Sequence, residues 1–482
     1  MRYLVAGNGI LGLSTAFRLT QQMGSNDSIV IVAPEARQYS ATLPAAAMQN
    51  SFAEIEVGAL DSEKDLYRFE LSHWATRMWP EFEKELIEAA GNDIPYGCSK
   101  CEVFRGGCFG QGTYVVNNTA MSEVDDLNFA AMISALDDFN EQYEYVDPKS
   151  IPNYYPEERY RATQAILIHN EGWFNPRLML EKLEAILNRH PRVQFINSTV
   201  EQLVGDKSSV IDAKLGNGDM LSADYFVLAV GATISDILGA SPDVPLNVQP
   251  VFHNVGSSME IKSSDYPHSK CIRTVNRGFA CGIYTVPYFL GPNEPKDHII
   301  IGATSIMMPK PHNTVRLYAL EGLMRSAMEQ INRHFYRAEV VRTNVGSRPI
   351  AQDTYPLLGK TQVPNLSIIS GTNRDGFHMA PVISKLVVDQ ILENEVDERF
   401  EWFAPDREVI REMDREAAIS RNVMNQLGAM YQHDFIPPKG RFPERIEGIL
   451  RADVEEVHDK VGAHDWGIPP IMIDMYKYGH AI

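Results

Sequence analysis

At 482 residues the chain exceeds the ~250–300 residues at which a single core stops growing, so at least two lobes with substantial cores are expected. Its 44 Lys plus Arg stand against 63 Asp plus Glu, a formal charge of −19, which withholds the basic footprint that nucleic-acid binding requires. No apolar run reaches the ~20 residues of a membrane span, and Met1-Arg2 leads into Tyr3-Leu4-Val5-Ala6 without the ordered regions of a secretory leader; a soluble, cytoplasmic protein with no membrane partner is expected.

In chain order, the apolar run Tyr3 to Ala6 predicts a strand, Ile10 to Gln22 an amphipathic helix, and Ile29 to Val32 a second strand, which together make a βαβ unit. From about Leu60 to Glu88 the spacing turns helical, with Trp74, Met78 and Phe82 on one face. A strand-like, glycine-containing stretch runs from Cys101 to Val116, and Met121 to Phe139 returns to helix. Asn175-Pro176 reads as an N-cap and first-turn proline for a helix over Arg177 to Asn188.

A strand at Val193 to Ile196, a ribbon turning at Gly216-Asn217-Gly218 and a fully apolar strand from Tyr225 to Val230 follow; a continuous apolar run fits a strand buried on both faces. Val248 to Thr304 holds several strand-like segments, read as an antiparallel sheet, and Val315 to Phe335 a helix. Leu366 to Ser370 is another buried strand, followed by the turn Asn373-Arg374-Asp375-Gly376, which is taken to open a helix reaching Leu392. Beyond Arg399 lies a charged extension with helical stretches near Glu408 to Leu427 and Ile446 to Val461 and with Pro437-Pro438 and Pro469-Pro470 pairs. It is read as a dimer interface or as surface.

Five cysteines are too few, and odd in number, for a disulfide framework. Cys98 and Cys101 form a CxxC with Cys108 nearby, but no fourth ligand stands at zinc-site spacing, so no metal is expected.

Gly7-Asn8-Gly9-Ile10-Leu11-Gly12 satisfies GxGxxG between a strand and a helix. The first glycine permits the tight turn, the second lets backbone approach a pyrophosphate, and the third lets helix pack on strand. Free N–H groups and the dipole at the helix start then favour the anion. The acidic residue that normally closes the second strand and holds a ribose hydroxyl is replaced by Ala33; Glu35, after Pro34, would substitute only if the loop bends back.

Five further blocks in a fixed order resemble the FAD-dependent D-amino-acid oxidase superfamily, nearest to glycine oxidase and sarcosine oxidase. They are Ser40-Ala41 through Ala45-Ala46-Ala47-Met48; Glu171 to Arg177; Leu228-Ala229-Val230-Gly231-Ala232; Gly346-Ser347-Arg348-Pro349 with Asp353 and Pro356-Leu357-Leu358-Gly359; and Gly371 to Gly376 with Ala380-Pro381. The resemblance implies non-covalent FAD, since no cysteine matches the covalent attachment point of some relatives and Cys281 lies in the substrate-sheet region. It implies cofactor contacts at Gly7, Gly9, Ile10, Leu11, Gly12, Ala33, Glu35, Ala41, Thr42, Ala47, Met48, Val200, Gly231, Ala232, Arg348, Asn373, Arg374, Asp375, Gly376 and Phe377. Backbone N–H groups of the 373–376 turn would meet the flavin pyrimidine edge, and the Thr199-Val200 segment the adenine.

For the substrate, the resemblance implies that Arg348 pairs bidentately with a carboxylate, a geometry that guanidinium suits. Tyr284 would donate its hydroxyl to the same group, with Tyr288 close enough to compete. Arg374 lines the flavin, meets substrate, or only starts a helix. His378 stands where the family shows an apolar residue, and a lone histidine there is expected to be satisfied locally.

The implied fold is α/β: a Rossmann-type FAD-binding domain (1–60, 150–245 and 340–399) interleaved with an α+β substrate domain on an antiparallel sheet (61–149 and 246–339), plus the 400–482 extension. The implied activity is oxidation of the C–N bond of a small amino acid or N-substituted glycine, with hydride passing to the flavin, imine hydrolysis, and O₂ reduced to H₂O₂. The alternatives are a dehydrogenase of amino or hydroxy acids with another acceptor, and a flavin-binding module without turnover. The partners expected are a small carboxylate-bearing amine, O₂ and a second copy of the chain.

Overall fold

Strands Arg2–Ala6 and Ser28–Val32 alternate strictly in what they touch. Tyr3, Val5, Ile29 and Ile31 enter one apolar cluster, and Leu4, Ala6, Val30 and Val32 another. A strand with both faces buried belongs to the middle of a layered fold. The structure, a computed structural model, describes residues 1–91, 109–206, 208–278, 282–291, 294–436, 438 and 440–482. Cys98, Cys101, Cys108, Cys281 and Pro437 fall outside the described residues.

Six strands form the first sheet in the order Leu357–Lys360, Leu366–Ser370, Tyr225–Leu228, Arg2–Ala6, Ser28–Val32, Val193–Ile196. All neighbours are parallel except Leu357–Lys360, which is antiparallel. One face is covered by helices Ile10–Gln22, Glu63–Ala90, Pro176–Arg189 and Ala380–Ile391. The other carries the three-stranded ribbon Val200–Gly205, Val210–Leu215 and Met220–Ser222. Asn175 caps its helix as expected, its Oδ1 accepting from the backbone N–H groups of Arg177 and Leu178. The long helix Glu63–Ala90 is capped by Ser62. Its fully buried aromatics are Trp79 and Phe82, while Trp74 and Met78 are only partly covered.

The second sheet has ten strands and is antiparallel apart from the parallel pair Cys271–Thr274 and Gly110–Asn117. Its spine is Val251–Lys262, which pairs along nearly its whole length with Glu339–Ala351. Its opposite edge takes Ile306–Met308 and His298–Gly302, the latter leading on to Tyr284–Pro287. Strands Met48–Gln49, Gln164–Trp173 and Glu339–Ala351 fall in segments that the sequence assigned to the cofactor part, yet they pair in this second sheet. The chain crosses between the layers more often than block order suggests.

The extension packs against the second sheet. Ile468, Met472, Met475 and Tyr476 join Phe252 and Ile350 in one apolar cluster. Asp353 holds its start: the carboxylate pairs with Arg407 at 2.8 Å and accepts from the Ile410 N–H and from Gln249. Helices Arg415–Gln432 and Phe442–Lys460 lie beside each other. Among the described residues no helix is long and apolar enough to cross a membrane.

Candidate active site

The carboxyl ends of the parallel strands and one face of the second sheet enclose a cleft of about 670 Å³. In open α/β sheets this is where the chain leaves room for a ligand. Gly7 has φ +108, and a Cβ built there would stand 2.3 Å from the Ala229 carbonyl oxygen; one built on Gly12 would stand 2.2 Å from that of Gly7. Strand end, turn and helix therefore approach as only glycine permits. Ile10 N–H donates to Thr42 Oγ1 at 3.3 Å, which ties the helix start to the 40–48 loop.

At the far end of the second strand two of the expected contact residues, Ala33 and Glu35, do not line the cleft. Ala33 is buried with its N–H donated to Ile196, Glu35 is exposed with its N–H on Asn197, and neither side chain reaches the cleft. Pro34 starts a loop that carries Glu35 outward rather than back. Among the 34–39 residues that line the cleft there, the charged one is Arg37, held at φ +43. Its Nε–H donates to the Asn8 carbonyl at 3.2 Å and its guanidinium pairs with Glu184. A shifted position and an opposite charge hid it from the motif. Gly12 also stays off the cleft, acting through packing. The remaining residues expected to contact the cofactor line it: Gly7, Gly9, Ile10, Leu11, Ala41, Thr42, Ala47, Met48, Val200, Gly231, Ala232, Arg348, Asn373, Arg374, Asp375, Gly376 and Phe377.

The 373–376 segment is a turn, and the helix begins only at Ala380, so the turn does not open it directly. Instead Asn373, at φ +45, is fixed by its N–H on the Pro349 carbonyl and by Asn254 Nδ2–H on its side-chain oxygen. Phe377 stacks on Trp79 with ring centroids 5.4 Å apart. Ser347 is 2% exposed, faces the cleft and has a buried hydroxyl without a hydrogen-bond partner among the described residues. A glycine turn too tight for side chains, a helix N-terminus and an unanswered hydroxyl fit a bound dinucleotide.

Arg348 and Tyr284 stand on separate strands of the second sheet, each lying flat over a glycine. A Cβ on Gly256 would meet the Arg348 guanidinium at 2.3–2.4 Å, and one on Gly302 the Tyr284 hydroxyl at 2.4 Å. Those two glycines are the floor on which the side chains reach into the cleft. Arg348 donates one N–H to the Thr304 carbonyl at 3.1 Å and has no carboxylate within ion-pair distance among the described residues. Tyr288 is buried in the apolar cluster behind Tyr284 and does not line the cleft.

Arg374 is engaged by carboxylates, 3.2 Å from Glu54 and 3.7 Å from Glu56, and donates to Asn276 Oδ1. Glu54 also pairs with the buried Arg273 at 2.5 Å. Burial alone would raise the Glu54 carboxyl, but Arg273, Arg374 and Arg348 together hold it below the ordinary carboxylate value. Behind it, Glu171 is 1% exposed, and burial pushes it up to about 8 although it accepts the Phe52 and Ala53 N–H groups. His378 is satisfied locally: its Nε2 lies 2.8 Å from Thr76 Oγ1, its carbonyl accepts from Trp79, and burial pushes it down to about 3. It borders the cleft as a neutral ring.

The model of the family described as FAD dependent oxidoreductase, DAO, matches residues 2–390. The bifunctional protein ThiO/ThiG of Nostoc sp. is 28% identical over 200 residues, 41% of this chain and 28% of that protein; its Synechocystis sp. counterpart is 27% identical over 248 residues, 49% and 34%. This chain thus spans about a third of the length of these relatives. Among solved structures, glycine oxidase from Geobacillus kaustophilus shares the fold with a TM-score of 0.68 at 19% identity, covering 85% of this chain and 98% of its own. Iminodiacetate oxidase from Chelativorans sp. BNC1 does so with a TM-score of 0.67 at 18% identity, covering 84% and 99%. With its glycine turn, interleaved sheets and family match in agreement, the chain belongs to the DAO family of FAD-dependent oxidoreductases.

Proposed function

We propose that the enzyme oxidises the carbon–nitrogen bond of a small carboxylate-bearing amine, either an amino acid or an N-substituted glycine, with O₂ as the final electron acceptor. The observation that carries this reading is Arg348, a guanidinium presented to the cleft over Gly256 with no carboxylate partner among the described residues. A planar fork of donors left without an anion matches a carboxylate ligand. On this reading the six-stranded sheet serves the cofactor and the ten-stranded sheet forms the substrate wall.

FAD, when bound, supplies the acceptor for a hydride. The chain does the positioning. Arg348 and Tyr284 would take the carboxylate from two strands of the second sheet, which fixes the α-carbon and so turns an encounter into an oriented reaction. The α-carbon gives up hydride and the nitrogen a proton, the C=N bond forms, and water hydrolyses it to a 2-oxo acid and an amine. Two electrons and two protons then convert O₂ to H₂O₂. Neutral His378 adds no competing charge to the cleft, and Arg374 stays with Glu54 and Glu56.

The test is anaerobic absorbance of the holoenzyme with glycine, N-methylglycine and a panel of amino acids, followed by oxygen uptake. Bleaching by at least one amine, with oxygen consumed at a matching rate, is expected. Arg348→Lys should lower kcat/KM about tenfold to a hundredfold, chiefly through KM, as loss of a charge-assisted bidentate pair predicts. Dye reduction without oxygen uptake would replace O₂ by another acceptor, and absence of bleaching with every amine would end the proposal.

A further inference from the structure

His378, where the family resemblance implies an apolar residue, lines the flavin cleft and is 3% exposed. Its Nε2 lies 2.8 Å from Thr76 Oγ1, which lies 2.9 Å from Ser51 Oγ. Ser51 in turn lines a second cavity of about 430 Å³, walled by the segment 50–72 and by parts of the extension. Asp61, Arg411 and Ala417 on its lining are exposed, so this cavity reaches solvent. Thr76 lines neither space and is buried, so it stands in the wall between them. Ser72, one turn before Thr76 on the same helix face, comes within 3.4 Å of Ser51 at the second cavity.

Each hydroxyl of this chain both donates and accepts, and a neutral imidazole does the same with its two nitrogens. The chain can therefore run with every donor pointing toward His378 or every donor pointing away. Nδ1 of His378 has no hydrogen-bond partner among the described residues. Burial pushes the ring down to about 3, so it passes a proton without keeping it. The titratable groups that act on it are Glu54 and His73. Glu54 is held ionised by guanidiniums, and His73 Nε2 lies 2.9 Å from Glu141. Elsewhere the wall shared by the two cavities carries Arg374, whose guanidinium does not give up its proton.

Building on the amine-oxidation reading, we propose that His378, Thr76 and Ser51 form a proton relay between the flavin cleft and the second cavity. A substrate that arrives as an ammonium loses one proton before its α-carbon gives up hydride. His378 takes that proton at Nδ1 while its Nε2–H passes to Thr76, the Thr76 proton to Ser51, and the Ser51 proton to solvent in the second cavity. Every donor in the chain is then reversed. Reduction of O₂ to H₂O₂ needs two electrons and two protons. The hydride accounts for both electrons and one proton, and the second proton enters along the same chain, which restores the first orientation.

The test is anaerobic stopped-flow bleaching of the holoenzyme across pH, with the amine of the panel above that bleaches the parent fastest. Thr76→Val keeps the shape and removes the hydroxyl. It should slow bleaching about a hundredfold below the pKa of the amine, and not above it, where the substrate arrives already deprotonated. Ser51→Ala breaks the chain one link farther from the cleft and should show the same pH-dependent loss. Thr76→Ser keeps the hydroxyl and should bleach at the parent rate. FAD binding to the three apoproteins, by fluorescence titration, should match that of the parent. A loss of equal size at every pH, no loss in either broken chain, or a Thr76→Ser variant as slow as Thr76→Val would overturn the relay. So would weakened FAD binding in Thr76→Val and Ser51→Ala, because the hydroxyls would then only shape the cleft. Failure of every amine to bleach the parent would instead count against amine oxidation itself, and the relay would fall with it.

Discussion

Arg37 and Glu171 are two ionisable residues whose roles follow from neighbours distant in sequence. Arg37 occupies the end of the cleft where an acid usually meets the ribose, and it is held there by Glu184 and by the carbonyl of Asn8 in the glycine turn. Arg37→Ala should weaken FAD binding to the apoprotein about tenfold, by flavin-fluorescence titration, while Glu35→Ala leaves it unchanged. Glu171 keeps its proton up to about 8 in the fold, against 4.5 for an ordinary glutamate carboxyl. Its contribution to stability is thus fully present below pH 4.5 and is lost as pH rises through 8, because the unfolded chain gives up the proton earlier. Glu171→Gln removes that dependence. Its Tm should gain on the parent from pH 5 to about pH 8 and level off above it; a constant difference throughout would mean that Glu171 is ionised in the fold.

At the scale of elements, the site depends on two strands bare enough for neighbouring side chains to lie across them. Gly302→Ala puts a methyl group 2.4 Å from the Tyr284 hydroxyl, so the ring must swing aside. KM for the amine should rise about tenfold with little change in Tm, since the clash is with the far end of a movable side chain. The βαβ unit, the Asn175 cap and the buried strands were legible because apolar period and capping chemistry act locally. Helix Ile10–Gln22 and strand Leu366–Ser370 have the limits their patterns predict. That Arg348, Tyr284 and the glycine turn line one cleft was legible through short blocks. Glu54, Arg273 and Arg37 were not, because a charged residue takes its meaning from the partner that the fold brings to it. The same reason hid the late start of helix Ala380–Ile391: the segment before it is held by Pro349 and Asn254, which no local pattern contains.

In the whole molecule, Asp353 joins three parts of the chain: the second sheet through Gln249, its own strand end, and the extension through Arg407 and Ile410. The extension is thereby tied to the sheet that carries Arg348 and Tyr284. The central sheet has a further consequence, in time rather than in space. The strand before the glycine turn pairs with Ser28–Val32 at once but with Tyr225–Leu228 only after residue 225 is made, and that strand pairs with Leu366–Ser370 later still. Pairings that close such long loops form late. During refolding, amide protection at Gly7 to Gly12 should therefore appear together with protection at Leu366 to Ser370, and not ahead of it, in pulsed hydrogen exchange. The glycine turn is thus translated well before the segments that complete its cleft, and a growing chain would carry an unfinished cleft until Phe377 is made.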